Sequence, residues 1–347
     1  MEIVLDERAR EILKDIVASY ILSGEPVGSR TIAKLTREGL SPASVRNVMA
    51  DLEEMGLLAQ PHTSAGRIPT DKGYRHYVDS LPPAGRLAPR DRLVIDEDLA
   101  RLGGEGSEAM ELIPKLLSRL SSQVGYLIFP PITEAVLKHI EFVRLHARKI
   151  LAILVDRSGV VSHRVLETEE DYVQDDLEKA GRYLVAEFSG LTLGEVRQRL
   201  VRLMAEEKAA FDRLLKNAVT LGTCYLDAEP SERRMVLEGT TNILKHPEFS
   251  DVETMRRLFQ TFEERHSLVT LLDRLFDAPG VQVVIGSETD DPALGSLSLV
   301  ASSYRLGDQA NGWLGILGPT RMEYDRAVAL VEYISSHLSS LLTRQDL

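Results

Sequence analysis

The segment between Gly39 and Gly56, read as SPASVRNVMADLEEM with Leu40 before it, constrains the fold of this chain more than any other. Ser41 followed by Pro42 is a strong helix start. A serine side chain can accept from the first free N–H groups, and proline at the first helical position gives up only an N–H that has no helical partner. Val45, Val48, Met49, Leu52 and Met55 then recur at helical spacing and predict a buried stripe, and Gly56 ends the helix. At about 100° per residue, burying that stripe places Ala43, Asn47 and Ala50 opposite the core, with Ser44 and Arg46 on the flanks.

The surrounding residues give this helix a context. Upstream, Ala9, Ile12, Leu13, Ile16, Val17, Tyr20 and Ile21 predict a first helix that Gly24 and Pro26 stop. A second helix has Ser29 as N-cap, Ile32, Ala33 and Leu35 inward, and ends at Gly39; the short turn at Glu38–Leu40 gives helix-turn-helix spacing. Downstream, Leu57 to Gln60 reads as a strand, Pro61 to Gly66 as a tight loop, and Arg67 and Ile68 as the return strand. Thr70 can cap a following helix with Lys72, Tyr74, Arg75 and Tyr77. Three helices and a hairpin in this order predict a winged helix-turn-helix over residues 1–80. A recognition helix meets the major groove with its N-terminal residues. Arg pairs with guanine, Asn with adenine, and small side chains permit close approach. The expected DNA contacts are therefore Arg30, Ser41, Ala43, Ser44, Arg46 and Asn47. His62, Thr63, Ser64 and Arg67 are expected near the wing tip, suited to phosphate or the minor groove, with Lys72 and Arg75 behind it. The bland alternatives are a plain three-helix bundle with a solvated face and, for His62, an exposed loop residue that touches nothing.

Charge limits how such a domain could bind. The chain carries a net −12, and residues 1–80 hold 10 Lys/Arg against 12 Asp/Glu. Bulk electrostatic adhesion is thus disfavoured, and binding must rest on a local patch. Gly39 to Ala50 contains no acid, and from Gln60 to Thr70 Arg67 is the one Lys, Arg, Asp or Glu, while Asp51, Glu53 and Glu54 gather at the far end of the third helix.

A length of 347 residues predicts two or three domains. The single cysteine, Cys224, permits no intrachain disulfide and suits a reducing compartment. The start carries Glu2, Asp6 and Glu7 where a secretory signal has basic residues. The strongest apolar run, Ile150 to Val155, falls far short of the roughly 20 residues of a membrane span. The expectation is a soluble cytoplasmic protein without contact to membranes.

Residues 81–90 read as a Pro/Gly linker. A charged helix follows from Arg90, then a break at Gly103, Gly104 and Gly106, then a helix to about Ser121 that Pro114 kinks or restarts. Val124–Phe129, Leu137–His146, Lys149–Asp156 and Val160–Glu167 predict antiparallel strands. Helices return from Glu169, including a long amphipathic one over Leu191 to Leu221; Met235 to Leu244 reads as a strand and Asp251 to Gln260 as a helix. From Phe262 come a helix to Phe276, strands at Val281–Ile285, Leu297–Tyr304 and Trp313–Leu317, and a closing helix over Glu323 to Leu342. The class is α+β.

No catalytic site, metal site or cofactor is expected. Gly103-Gly104-Glu105-Gly106 lacks the Lys-Ser/Thr of a phosphate loop. His139, His146 and His163 have no metal-ligand spacing. Asp175-Asp176 and Asp290-Asp291 are adjacent, so their side chains diverge, and Cys224 reads as a buried thiol with no base. Gly318-Pro319-Thr320-Arg321 reads as a turn after a strand, with Thr320 capping the last helix and Arg321 able to bridge to another domain or subunit.

VGSRTIAKL, SPASVRNVMADLEEMGLLAQPHTSAGRIPTDKGYRHYV and GILGPTRMEY, the last spanning Gly315 to Tyr324, resemble the HrcA family of bacterial heat-inducible transcription repressors. The resemblance implies a negative regulator of class I heat-shock genes. Such a repressor binds, as a homodimer, an inverted-repeat operator in double-stranded DNA upstream of chaperonin and Hsp70-type chaperone operons, and the chaperonin modulates its activity. It also implies a winged helix, a GAF-like domain and an inserted dimerisation domain. An antiparallel sheet that a helical insert interrupts fits this plan, with the winged helix over 1–80, the linker over 81–90, the GAF-like domain over 91–168 and 262–347, and the insert over 169–261. The apolar face of the long helix is the expected dimer surface, unless it packs within its own monomer. Two other classes compete. One is a winged-helix regulator switched by a small ligand in the GAF-like domain. The other is an enzyme with a fused regulatory winged helix, as in some biotin ligases, but the Gly/Arg-rich nucleotide loop it needs is missing.

Overall fold

The computed structural model describes the chain except for residues 1–4, 37–38, 63–64, 83–86, 102–105, 206–212, 229–232, 264–267, 270–271, 273–279, 292–293, 307–309 and 344–347. Three helices open it: α1 (Glu7–Ser23), α2 (Ser29–Leu35) and α3 (Pro42–Glu54). Asp6 caps α1 by accepting from Ala9 N at 2.6 Å, and Gly24 closes it in the left-handed conformation. Helix α2 is shorter than its sequence predicts. Gly28 is its N-cap, Ser29 is already helical, and the helix stops at Leu35 instead of Gly39. Ile32 is its buried anchor, and no apolar residue follows Leu35 before Leu40.

Ile12, Leu13, Ile16 and Val17 of α1 share a core with Ile32, Val45, Met49, Leu52, Leu57 and Leu58. Met55 leaves the predicted stripe: it is the C-cap of α3 and 44% exposed. Strands β1 (Leu58–Ala59) and β2 (Ile68–Pro69) form a short antiparallel ribbon with Leu58 opposite Pro69 and Ala59 opposite Ile68. Helix α4 (Asp71–Asp79) follows. Thr70 caps it, accepting from Gly73 N at 3.2 Å while donating to Gly56 O at 2.7 Å. The linker is tighter than its composition suggests. Leu87 is buried, and Pro89 and Arg90 already belong to α5 (Pro89–Ala100). Of the glycine-rich break, Gly103, Gly104 and Glu105 lie outside the described residues. Gly106 begins α6 (Gly106–Ser121), which runs through Pro114.

The rest of the chain builds two antiparallel sheets from β3 (Val124–Ile128), β4 (Leu137–His146), β5 (Lys149–Asp156), β6 (Val161–Glu167), β7 (Met235–Glu238), β8 (Val281–Ile285), β9 (Leu297–Leu306) and β10 (Ala310–Pro319). Strands β4, β5 and β6 pair only with one another, while β7, β3, β10, β9 and β8 form a five-stranded sheet in that order. The three-stranded sheet packs with α7 (Gln174–Phe188), α8 (Leu193–Ala205) and α9 (Arg213–Ala228) around its own core of Phe142, Leu154, Leu184, Leu200 and Tyr225. Strand β7 then pairs with β3, and Leu258 and Phe262 of α10 (Val252–Glu263) pack on the five-stranded sheet. The chain leaves the five-stranded sheet after Ile128 and rejoins it at Met235. Alternation along a strand reports which side is buried, not which strand lies beside it.

Two further expectations change. The predicted strand over Met235 to Leu244 ends at Glu238, where left-handed Gly239 turns the chain into 3₁₀ turns. The predicted helix over Leu191 to Leu221 is divided into α8 and α9, with residues 206–212 outside the described residues. Its apolar residues Leu200, Ala218, Val219 and Leu221 face the monomer's own core, not a dimer surface.

The closing helix, Tyr324–Thr343, covers one face of the five-stranded sheet. Its Leu330, Ile334 and Leu338 join Leu127, Val300, Leu314 and Ile316 in the same core that includes α1 and α3. Hence the N-terminal domain and the sheet domain are continuous through apolar contacts. No helix among the described residues is long and apolar enough to cross a membrane.

Candidate nucleic-acid interface

The start of α3 follows its sequence closely. Ser41 Oγ accepts from Ser44 N at 3.1 Å and lies 3.0 Å from Ser44 Oγ, so these hydroxyls also order the first helical turn. With Val45, Met49 and Leu52 buried, Ala43, Arg46 and Asn47 are exposed on the opposite face, and Arg30 of α2 is exposed as well. The exposed end is the N-terminal, partially positive end of the helix. Asp51, Glu53 and Glu54 stand at the other end, where they are removed from a phosphate backbone approaching the first turns.

The wing loop joins Ala59 of β1 to Ile68 of β2. Gln60 Nε2 donates to Ala65 O at 3.0 Å across it, and His62 is exposed. Thr63 and Ser64, expected contacts, lie outside the described residues. Arg67 is not at the tip. Its backbone exchanges two hydrogen bonds of 2.9 Å with Val27, and its guanidinium pairs with Glu53 at 2.7 Å with the side chain 19% exposed. The arginine thus fixes the base of the wing to the end of α3, because β2 begins one residue later and directs it inward. Gly66 is required beside it, since a Cβ there would lie 2.4 Å from Val27 O.

Lys72 of α4 is exposed. Arg75, expected beside it as a DNA contact, turns the other way. Its Nε donates to Glu288 Oε1 at 2.8 Å and its Nη2 to Val283 O at 2.6 Å, with Asp79 at 3.4 Å. The hydrogen bond to Glu288 and its charge hold the guanidinium strongly protonated against the opposing effect of burial. One helical turn back, Asp71 accepts from Ser287 N at 2.9 Å. The face of α4 bearing Asp71 and Arg75 therefore belongs to the domain junction.

Of this junction, the sequence marked only Arg321 as able to bridge to another domain. It also includes Tyr74, whose ring packs 5.8 Å from that of Tyr324, and Arg321, which donates to Ile21 O at 3.1 Å and pairs with Glu248. The signal available was the GPTR turn itself, which was legible as a motif but not as to what it would touch.

The remaining polar features do not converge. His139, His146 and His163 are exposed on the three-stranded sheet, and no group of three or more metal-ligating side chains is assembled among the described residues. Asp175 pairs with Lys179 at 2.6 Å on the surface. Cys224, expected buried, is only partly so, and that burial raises its thiol pKa.

Comparison with known proteins agrees with the two-part layout. Residues 4–79 match the family described as "Winged helix-turn-helix transcription repressor, HrcA DNA-binding", and residues 107–328 match "HrcA protein C terminal domain". Relatives named heat-inducible transcription repressor HrcA include one from Syntrophobacter fumaroxidans, 42% identical with 97% of each chain covered. Another is from Geobacter sulfurreducens, 43% identical over 97% of this chain and 98% of its own length. A crystal structure described as a hypothetical protein shares the fold at a TM-score of 0.64, with 24% identity and coverage of 99% and 100%. With the winged helix at one end, the GPTR turn at the other and relatives matched along nearly the whole length, the chain belongs to the HrcA family of heat-inducible transcription repressors.

Proposed function

We propose that the protein represses class I heat-shock transcription in the cytoplasm by binding, as a homodimer, an inverted-repeat operator upstream of chaperonin and Hsp70-type operons, with the chaperonin modulating its activity. The observation that carries the DNA-reading part is the N-terminal half of α3: free of acids, exposed, and presenting Ala43, Arg46 and Asn47 from a capped helix start. Arg30, Ser41, Ser44, His62, Thr63, Ser64 and Lys72 complete the proposed contact surface. The operator and the chaperonin come from the family resemblance.

The five-stranded sheet with its helices is read as the GAF-like domain, and β4 to α9 as the inserted dimerisation unit. The outer face of the three-stranded sheet supports a homodimer. Val143, Leu151 and Val165 form one cross-strand row, and Val155 and Val161 lie in another. Val161 and Val165 are 48% and 50% exposed. Between these rows, Glu141, Ile153 and His163 lie side by side. A two-fold axis running along β5 sets Glu141 of each copy over His163 of the other, so the face complements itself.

Titration against the inverted repeat and a scrambled duplex at fixed salt, with and without chaperonin, tests the reading. A preference of about 10³ or more for the repeat is expected, strengthened by chaperonin. Equal affinity for both duplexes removes the operator claim.

One observation favours a ligand-switched regulator as a second reading. A cavity of about 230 Å³ opens where α1 meets the sheet domain, lined by Gln123, His246, Arg321, Met322, Arg326 and Leu330 among others. That reading expects a small molecule to release DNA without chaperonin.

A further inference from the structure

The polar contacts that join the winged helix to the sheet domain are concentrated on two of its elements. At the end of α1, the last carbonyls have no helical partners, and α1 carries no basic residue in its last turn. Arg321 supplies what is missing from the opposite end of the chain. Its Nη1 donates to Ile21 O at 3.1 Å, its Nε pairs with Glu248, and its side chain is only 16% exposed. Gly24 lies under the guanidinium: at φ +70°, a Cβ there would lie 3.2 Å from Arg321 Cζ. On α4, Asp71 and Arg75 form the second attachment, gripping Ser287 N, Val283 O and Glu288.

From this arrangement we infer that Arg321 and Arg75 are positioning residues for operator recognition: they hold each winged helix at one orientation on the sheet domain, and so set the separation and tilt of the two recognition helices in the dimer. Neither side chain needs to touch DNA. A rigid head matters because binding two half-sites at once gains only when the heads already sit at the right span. A loosely tethered pair spreads its effective concentration over many geometries. The two attachments differ in design. A cation at a helix C-terminus opposes the helix dipole. The Arg75–Glu288 contact is forked, and two parallel hydrogen bonds restrain rotation as well as distance. This inference rests on the dimeric inverted-repeat reading.

The test compares affinities for a single half-site and for inverted repeats of varied spacing, using the full chain. For the unaltered protein, a sharp spacing optimum and a clear full-site preference are expected. Their absence would defeat the dimeric-operator reading itself and this inference with it. In Arg321→Gln, half-site affinity should stay within about twofold, while the full-site advantage, on the order of 10²–10⁴ for linked sites, falls at least about tenfold and the spacing optimum broadens. Arg75→Glu should lose the same advantage, and Arg75→Glu with Glu288→Arg should recover it. If Arg321→Gln keeps the wild-type spacing optimum, or the exchanged pair fails to recover full-site binding while retaining half-site binding, the positioning role is overturned. Loss of half-site binding in Arg321→Gln points instead to a plain folding role and also overturns it.

Discussion

Arg321 and Ile21 stand 300 positions apart, yet the guanidinium of one donates to the main-chain carbonyl of the other at 3.1 Å. The sheet domain thereby completes a helix of the DNA-reading domain, and the two share one apolar core that runs from Ile12 and Leu52 to Leu330 and Ile334.

The reading face of α3 is the most direct target. Arg46→Ala or Asn47→Ala should cost about 1–3 kcal/mol at the cognate operator and relax base preference at one position. Competition titrations with singly substituted operators check this. Unchanged discrimination between cognate and scrambled DNA in Arg46→Ala would show that α3 docks differently.

Arg67 makes a different prediction from a phosphate contact. Because Glu53 holds its guanidinium at the base of the wing, Arg67→Ala should lower stability and weaken DNA binding through wing placement. The slope of log affinity against log salt should stay as it is. A true phosphate contact would make that slope shallower by about 1, so a salt series separates the two.

Backbone approach controls the wing and α4. A Cβ at Gly66 would lie 2.4 Å from Val27 O, and one at Gly73 would lie 2.2 Å from Leu57 O. Each glycine-to-alanine change should destabilise the protein by about 1–3 kcal/mol, as overpacking does. The urea midpoint should fall accordingly, and a midpoint equal to wild type would mean that the backbones separate without strain.

Acid should loosen the junction. Burial holds His246 below its ordinary pKa of 6.5, with Arg321 and Lys245 adding to the effect and Glu248 opposing it. For Glu248, burial pushes the carboxyl up, but the hydrogen bond and charge of Arg321 prevail and it lies below its ordinary 4.5. In both cases the folded state binds fewer protons than the unfolded state. The stability they contribute is therefore present at neutral pH and is lost as pH falls, from about 6.5 downward for His246 and from about 4.5 downward for Glu248. Melting temperature should drop between about pH 7 and pH 5, and the drop should be smaller in His246→Gln. Parallel curves for the two proteins would assign the drop to other groups.

Much of the local structure was legible in the chain. Ser41-Pro42 announced the start of α3, Thr70 the start of α4, and alternation placed β4, β5 and β8 with their observed ends. The winged helix and the family followed from contiguous residues. The partners of two arginines were not legible: Arg67 and Arg75 carry the charge of a DNA contact, and in the fold each is held by a carboxylate, Glu53 and Glu288 respectively. The packing of the long amphipathic helix was legible only in part for a related reason. An amphipathic helix predicts that one side is covered, and α8 and α9 are covered by β4 to β6 within the same monomer.

The caps, the alternation, the acid-free face of α3 and the family membership were readable along the chain, because helix starts and strand periodicity depend on residues within a few positions of one another. That β3 pairs with β7 and β10 while β4 to β6 stand apart, that Arg75 meets Glu288 across 213 positions, and that Arg321 closes α1 emerged with the packed fold. Those contacts exist because packing the shared apolar core brings remote groups within hydrogen-bond distance, and no local pattern carries that information.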